Sequence, residues 1–486
     1  MYLGIDVGTS GIKLVLIDDE QHIHAETVVP LSVDQPAPLH SEQQPEHWFN
    51  AITQGIAALR QAQPQAIDAI VAIGLTGQMH GAVCLDKTGE VLHPAILWND
   101  GRSHQECQDL MAICPAFESV GANTVMPGFT APKLLWLQRH RPNIFRKIAK
   151  VLLPKDYIRY LLTGDYATDL SDASGTLWLD VAKRCWSTHL LHACDLSTDH
   201  MPFILEGPEF SGQLSNTIAR QLNLPAGIQV VAGASDNAAG ALSMGIFKPG
   251  NGMISLGTSG VYFAPITAPD SSPKKGLHTF CHALPERWHQ MGVILSAASA
   301  LHWWKQVVGV TSEQQLVAQA KQADANQVPI FLPYLSGERT PHNDPFAKGS
   351  FIGMRHRTTT AEMTQAVLEG VAFALSDCQQ VMSETGTEID RLSVIGGGAK
   401  SPYWGRILAN VLNKSLCYHA ETAIGPAFGA ARLALLAGND LPIDTVLSQP
   451  KVTLHIQPNP DAVHFYYDRY QQYQQAYQKL KTFFKE

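Results

Sequence analysis

Two tetrapeptides of the same make, Gly8-Thr9-Ser10-Gly11 and Gly257-Thr258-Ser259-Gly260, carry the first chemistry that can be read from the chain. Each offers a tight turn with free backbone N–H groups and two hydroxyls, the equipment that phosphate oxygens need. One such turn equally closes a plain β-hairpin. Two of them could face one another across a cleft and grip a polyphosphate from both sides. Asp6 stands just ahead of the first turn, inside an apolar run. A carboxylate there is costly to desolvate without a partner, and Mg²⁺ bound through water beside phosphates is a natural one. Stabilising the turn is the other use of an Asp at that place. Lys13, two residues past the turn, is placed either to offset phosphate charge or to stay a solvated strand lysine.

Asp236 is the only charge in residues 230–247, a stretch otherwise built from small and apolar residues. It follows an apolar run and precedes Ala-Ala-Gly-Ala-Leu, which reads as a strand-to-helix junction. A helix N-terminus favours the ionised carboxylate and keeps it available as a base for a substrate hydroxyl, although an N-cap would sit in the same place. Gly77-Gln78-Met79-His80-Gly81 follows another apolar run, where a strand end presents side chains to a cleft. Gln78 and His80 suit the hydroxyls of a polyol, and Met79 suits its carbon face. Gly396-Gly397-Gly398-Ala399 follows a third strand, and without side chains there a flat ring can approach the backbone. The remaining histidines, including His22, His24, His278 and His282, lack the context of a metal site.

Other nucleotide machinery is missing. No Gly is followed by Lys, no G-x-G-x-x-G occurs and there is no H-R-D loop, so Walker A, Rossmann and protein-kinase sites are excluded.

The elements that position these residues repeat. The first turn joins two β-rich runs over residues 2–7 and 12–18, the second joins runs over 253–256 and 261–264, and matching flanks make internal duplication the better explanation. Short apolar runs ending in glycine (69–74, 229–233, 392–396) alternate with helical patterns (45–60, 361–375, 402–413), the signature of an α/β chain. Residues 35–39 and 207–212 read as loops and 245–252 as the crossing, so two domains are expected, 1–246 and 247–486. Tyr466, Tyr470, Tyr473 and Tyr477 form a stripe along one helix face, as a core-docking helix would.

A chain of 486 residues with 45% hydrophobic composition can bury a large core. Its 35 basic against 43 acidic residues, net −8 and without a basic cluster, argue against nucleic acid as a partner. Eight scattered cysteines without a C-x-x-C pair fit reduced thiols, and no apolar run reaches the roughly 18 residues of a membrane span. The N-terminus opens directly on an alternating strand, without the blocks of a signal peptide. A cytoplasmic protein is expected, with no membrane partner and with a homodimer left open.

Taken together, several segments resemble the FGGY family of carbohydrate kinases, most closely its members acting on xylulose. They are Gly4-Ile5-Asp6-Val7-Gly8-Thr9-Ser10, Gly77 to Gly81, Trp98-Asn99-Asp100-Gly101-Arg102, Phe129 to Trp136 and Ser235 to Gly240. The second half adds Ser255 to Gly260, Gly337-Glu338-Arg339-Thr340-Pro341, and residues 349–369 with Gly353, Glu362 and Glu369. The resemblance implies two actin-like (ribonuclease-H-like) α/β domains closing over ATP, Mg²⁺ and a sugar, with D-xylulose converted to D-xylulose 5-phosphate. It makes Asp236 the general base and gives Asp6 the metal and phosphates. Thr9, Ser10, Lys13 and Thr258 fall on the phosphate side, Gly397 and Gly398 against the nucleoside. Gln78, Met79, His80 and Asn237 fall on the sugar. Ribulose, fuculose, gluconate and glycerol are the other substrates within the family. A nucleotide-driven switch on the plan of actin or the heat-shock chaperones is the reading from another class. Ser255 stands where the first half has Asp6, so the halves cannot share metal duty equally.

Overall fold

The computed structural model describes residues 1–270, 275–420, 425–439 and 441–485. Tyr2–Val7 and Gly11–Ile17 form an antiparallel hairpin with Asp6 directly opposite Lys13. Leu3, Ile5, Val7, Ile12, Leu14 and Leu16 are buried, and Tyr2, Val15 and Ile17 on the other face are buried too. A sheet covered on both faces explains why these strands read as continuous apolar runs. Gly250–Leu256 and Gly260–Ile266 repeat the hairpin in the second half.

The two sheets share one plan. In the first, the order runs Ile23–Pro30, Gly11–Ile17, Tyr2–Val7, Ala72–Gly77, Gln229–Val231 and Phe210–Gln213. In the second it runs Trp288–Ile294, Gly260–Ile266, Gly250–Leu256, Ile389–Ile395, Ser415–His419 and Val452–Ile456, with His278–Cys281 added outside. In both, the hairpin's first strand takes a parallel neighbour, then a second parallel strand, then an antiparallel edge. The duplication read from two tetrapeptides is therefore a duplication of topology.

The helices expected at 45–60, 361–375 and 402–413 are Pro45–Ala62, Thr360–Glu384 and Pro402–Leu412. The longest starts with a reciprocal cap between Thr359 and Glu362. The tyrosine stripe lies on Pro460–Leu480, where all four rings are buried and the Tyr473 hydroxyl meets that of Tyr334 at 2.7 Å. Two expectations shift. The strand expected over 69–74 is Ala72–Gly77, because Ile67 and Ile70 enter the core through the short helix Pro64–Asp68 and its exit. The loop expected over 207–212 includes part of the edge strand Phe210–Gln213, in which Gly212 marks a register shift.

One helix of the second half returns to the first. Pro426–Ala437 lies across Tyr2–Val7 and Ala72–Gly77, and only glycines admit it. A β-carbon on Gly4 would lie 1.8 Å from the Ala427 carbonyl oxygen, and one on Gly74 would lie 1.9 Å from that of Ala430. Where the same helix passes Asp236–Ser243, a β-carbon on Gly429 would lie 1.9 Å from the Ala239 oxygen. A cut at residue 246 separates the two sheets but not the two cores.

Candidate active site

Register brings the acidic residues together. Asp6 lies opposite Thr76, Thr76 opposite Ala234, and Ser235 opposite Gly77, so three neighbouring parallel strands end side by side. The carboxyl ends of such strands are where open α/β sheets bind ligands. Asp236 is the first residue of the helix Asp236–Ser243, and Ser235, not Asp236, is its N-cap. The Asp236 Oδ1 accepts hydrogen bonds from the Asn237 backbone N–H (2.7 Å) and its Nδ2 (2.8 Å). Burial raises the Asp236 pKa to about 6 against those two donors. Burial raises Asp6 to about 7, the charge of Asp236 adds to it and Lys13 opposes it. Asp6 Oδ1 is buried without a hydrogen-bond partner. An orphaned anionic oxygen beside a second carboxylate is a fit for a cation.

Lys13 pairs through its ammonium with Glu26 at 3.0 Å, and its charge also bears on Asp6 across the hairpin. Gln78 is engaged within the fold as well. Its Oε1 accepts from the Thr9 hydroxyl (2.7 Å), its Nε2 donates to Gln43 Oε1 (3.0 Å), and the residue is buried. Gln43 in turn donates to the Thr9 carbonyl, and the Trp98 indole donates to the Thr9 hydroxyl at 3.0 Å. Gln78 therefore holds the first turn from beneath, with one Nε2 hydrogen still uncommitted. Ser10, at the tip of that turn, is exposed.

His80 keeps its expected place. It adopts a left-handed backbone (φ 69°), and its carbonyl accepts from Thr130 Oγ1 (3.1 Å) and Lys133 Nζ (2.8 Å). Its Nδ1 lies 2.7 Å from the Gly175 carbonyl, which can only accept. Nδ1 therefore carries the proton, and burial lowers the ring's pKa to about 3. The neutral ring leaves Nε2 as an acceptor for a hydroxyl. Met79 is buried beside it, and a β-carbon on Gly175 would lie 2.7 Å from His80 Nδ1 and 2.9 Å from Met79 Cε. Asn237 uses its Nδ2 on Asp236, so its Oδ1 remains for substrate.

On the second hairpin Thr258 is exposed, and its carbonyl is held by Ala297 N (3.0 Å) and Ser299 Oγ (2.6 Å). Gly397 and Gly398 differ. A β-carbon on Gly397 would meet nothing within 4 Å, whereas one on Gly398 would lie 2.9 Å from Leu256 Cβ and 3.1 Å from the Trp404 ring. Gly397 has room for a flat ring, while Gly398 is glycine because Leu256 and Trp404 pack there.

Sequence reasoning assigned no role to Gln43, Trp98, Thr130, Lys133 or Gly175, which shape the turn and the His80 loop. Trp98, Thr130 and Lys133 lie inside segments that carried the family resemblance; Gln43 and the Gly175 carbonyl left no signal in residue type or spacing. Among the described residues no group of three or more His, Cys, Asp and Glu forms a metal centre, and no helix is long and apolar enough to cross a membrane.

Residues 1–243 match the N-terminal domain of the FGGY family of carbohydrate kinases, and residues 252–438 match its C-terminal domain. The chain is 48% identical over 484 residues to the xylulose kinase of Escherichia coli K12, covering 99% of each. A solved structure named as a xyloylose kinase from Brucella ovis superposes with a TM-score of 0.96 at 47% identity, covering 99% of both chains. A gluconate kinase structure from Lactobacillus acidophilus superposes nearly as well, with a TM-score of 0.91 at 26% identity over 99% of this chain and 98% of that one. Two matching half-family domains on a duplicated fold, with the acids at the strand ends, make this chain a member of the FGGY family of carbohydrate kinases.

Proposed function

We propose that the protein transfers the γ-phosphoryl group of ATP to the 5-hydroxyl of D-xylulose, giving D-xylulose 5-phosphate and ADP. The observation that carries the reading is the adjacency of Asp236 and Asp6 at the strand ends beside the His80 loop. Phosphoryl transfer asks mainly for positioning, charge neutralisation and a base. In this reading Asp236 takes the hydroxyl proton as the oxygen attacks the γ-phosphorus, and the bond to the β-phosphate oxygen breaks to release ADP. Its carboxylate is ionised at neutral pH because its pKa reaches only about 6. His80 Nε2, Asn237 and the buried Met79 wall hold the ketose. The backbone N–H groups of the two glycine turns and the Thr258 hydroxyl hold phosphates. Asp6, with its orphaned oxygen, is the residue that would hold Mg²⁺. Mg²⁺ bound there would neutralise phosphate charge.

D-xylulose is preferred over other members of the class because of the identity shared with xylulose kinases, while the likeness to a gluconate kinase is one of fold. A nucleotide-driven switch would have no use for the His80 loop. Eight unpaired cysteines, seven of them buried, suit a cytoplasmic setting. The test is ADP release against a panel of pentuloses, gluconate and glycerol. D-xylulose should give the highest kcat/KM, and a preference for gluconate or glycerol would remove the substrate assignment. In the same assay Asp236→Asn should lower turnover by about 10²- to 10⁴-fold, with ATP affinity retained.

A further inference from the structure

Against the strands that carry the two acids lies a fully buried group of charges. Lys155, on the helix Pro154–Thr163, is fully buried, with its ammonium 2.5 Å from Asp156, 2.8 Å from Asp169 and 3.2 Å from Asp172. Arg159, one turn further and equally buried, donates to the carbonyls of Ala167, Val231 and Ala232 and to Ser211 Oγ. Burying such ions gains little stability over well-packed apolar side chains of the same volume. What they provide is registration of backbone segments that belong to different elements.

Those segments are the ones that lead to Asp236. Arg159 fixes Val231, the last residue of the strand Gln229–Val231, and Ala232, just ahead of the short strand Ala234–Ser235 that enters the base's helix. Lys155 fixes Asp169, which caps Leu170–Ala173 through Ser171 N and Asp172 N. The lines meet at Ser171, whose hydroxyl donates to Asp169 Oδ2 and accepts the Ser235 backbone N–H at 2.9 Å. Ser235 caps the helix that Asp236 begins, yet its own hydroxyl has no partner and makes no cap bond. The start of that helix is held from outside, and the residue held is the one before the base.

We propose that Ser171, fixed by the buried Lys155–Asp169 pair, is a positioning residue for Asp236. It clamps the Ser235 amide, so the Asp236 carboxylate is presented at a set depth at the strand ends. The inference rests on the reading of Asp236 as the base.

Ser171→Ala removes the clamp and leaves every charge of the cluster in place. With the full chain, D-xylulose and ATP, kcat should fall by about 10- to 100-fold, since small misplacements of reacting groups cost that much. Both KM values should stay within about twofold, because binding is not what the clamp serves. The ascending limb of the pH profile should move upward, because the Asn237 donors that hold the Asp236 pKa down lose their register. Ser171→Thr, which restores a hydroxyl, should recover most of the turnover. Ser171→Cys keeps the volume with a weaker acceptor and takes the place of the alanine variant should that not fold. Asp236→Asn, run alongside, separates the two ideas. If it retains turnover, the base reading fails and this inference with it. If it is inactive while Ser171→Ala keeps wild-type kcat and limb, whatever its melting temperature, Ser171 is a packing residue and the proposal is overturned.

Discussion

Asp6 and Asp236 form a carboxylate pair at the ends of neighbouring strands, with pKa values pushed up to about 7 and about 6. Burial raises both, and the charge on Asp236 then adds to Asp6. Both acids belong to the first sheet and differ in their surroundings: Asp236 stands at a helix start with two donors on one oxygen, and Asp6 has a buried oxygen with no donor.

The first consequence is a pH profile. If Asp236 accepts the hydroxyl proton, kcat/KM should rise with pH along a limb with an apparent pKa close to 6 and level off above it. The Asp236 shift comes from its own burial and from the Asn237 donors, so the residual activity of Asp6→Asn should keep its limb near the same pH. A profile flat from pH 5 to 8 would take the proton away from Asp236.

Stability should respond in the opposite sense. A carboxyl whose folded pKa is raised binds its proton more tightly in the folded state, so its contribution is favourable at low pH. That contribution is lost as pH rises from the ordinary value of 3.8 through about 7. Without ligands, Asp6→Asn should therefore melt on the order of a few degrees above the wild type at pH 8, and with it near pH 4. Its turnover should fall across a Mg²⁺ titration at the same time, a gain in stability bought with activity. Equal melting temperatures at pH 8 would mean that the Asp6 charge is already compensated.

His80 gives a third check. Removing its Nε2 acceptor in His80→Ala should raise the xylulose KM by about tenfold or more, as loss of a buried hydrogen bond to substrate does, with the ATP KM unchanged. Because the ring's pKa is lowered to about 3, the wild-type sugar KM should show no histidine titration between pH 5 and 8. A parallel rise in both KM values would mean that the substitution had disturbed the loop held by Lys133 and Thr130.

The hairpins, their duplication and the acids were legible because they are local: an apolar run, four small residues and another apolar run specify a turn wherever they occur. The partners of Gln78, Thr9 and Gln43, were hidden because they lie 69 and 35 residues away and only the fold brings them together. The pairing of Lys13 was hidden for a similar reason, since Glu26 belongs to the next strand. The return of Pro426–Ala437 to the first sheet left only glycines as its trace, and Gly4 inside a strand reads equally as a weak spot in that strand. Asp236 could be found because it is a lone charge among small residues, but its position one residue inside the helix depends on Ser235 and on Ser171, 64 residues away.

The two glycines of the third apolar run separate nucleotide binding from packing. Gly397 is open, so the methyl of Gly397→Ala has no neighbour within 4 Å among the described residues and should leave the melting temperature unchanged. If the adenine ring lies on that backbone, the added methyl takes its place and the ATP KM should rise by about 10-fold or more, while kcat at saturating ATP holds. Gly398→Ala instead drives a β-carbon against Leu256, in the strand leading to the second turn, and against the Trp404 ring. Overpacking of that kind costs about 1–3 kcal/mol, and it should appear as a lower melting temperature with Thr258 displaced and kcat reduced. Thermal melts and ATP titrations on the two variants give a crossed pattern. An open Gly397 whose alanine variant binds ATP as the wild type does would move the nucleoside off this turn, and leave the two glycines with packing and chain reversal as their only roles.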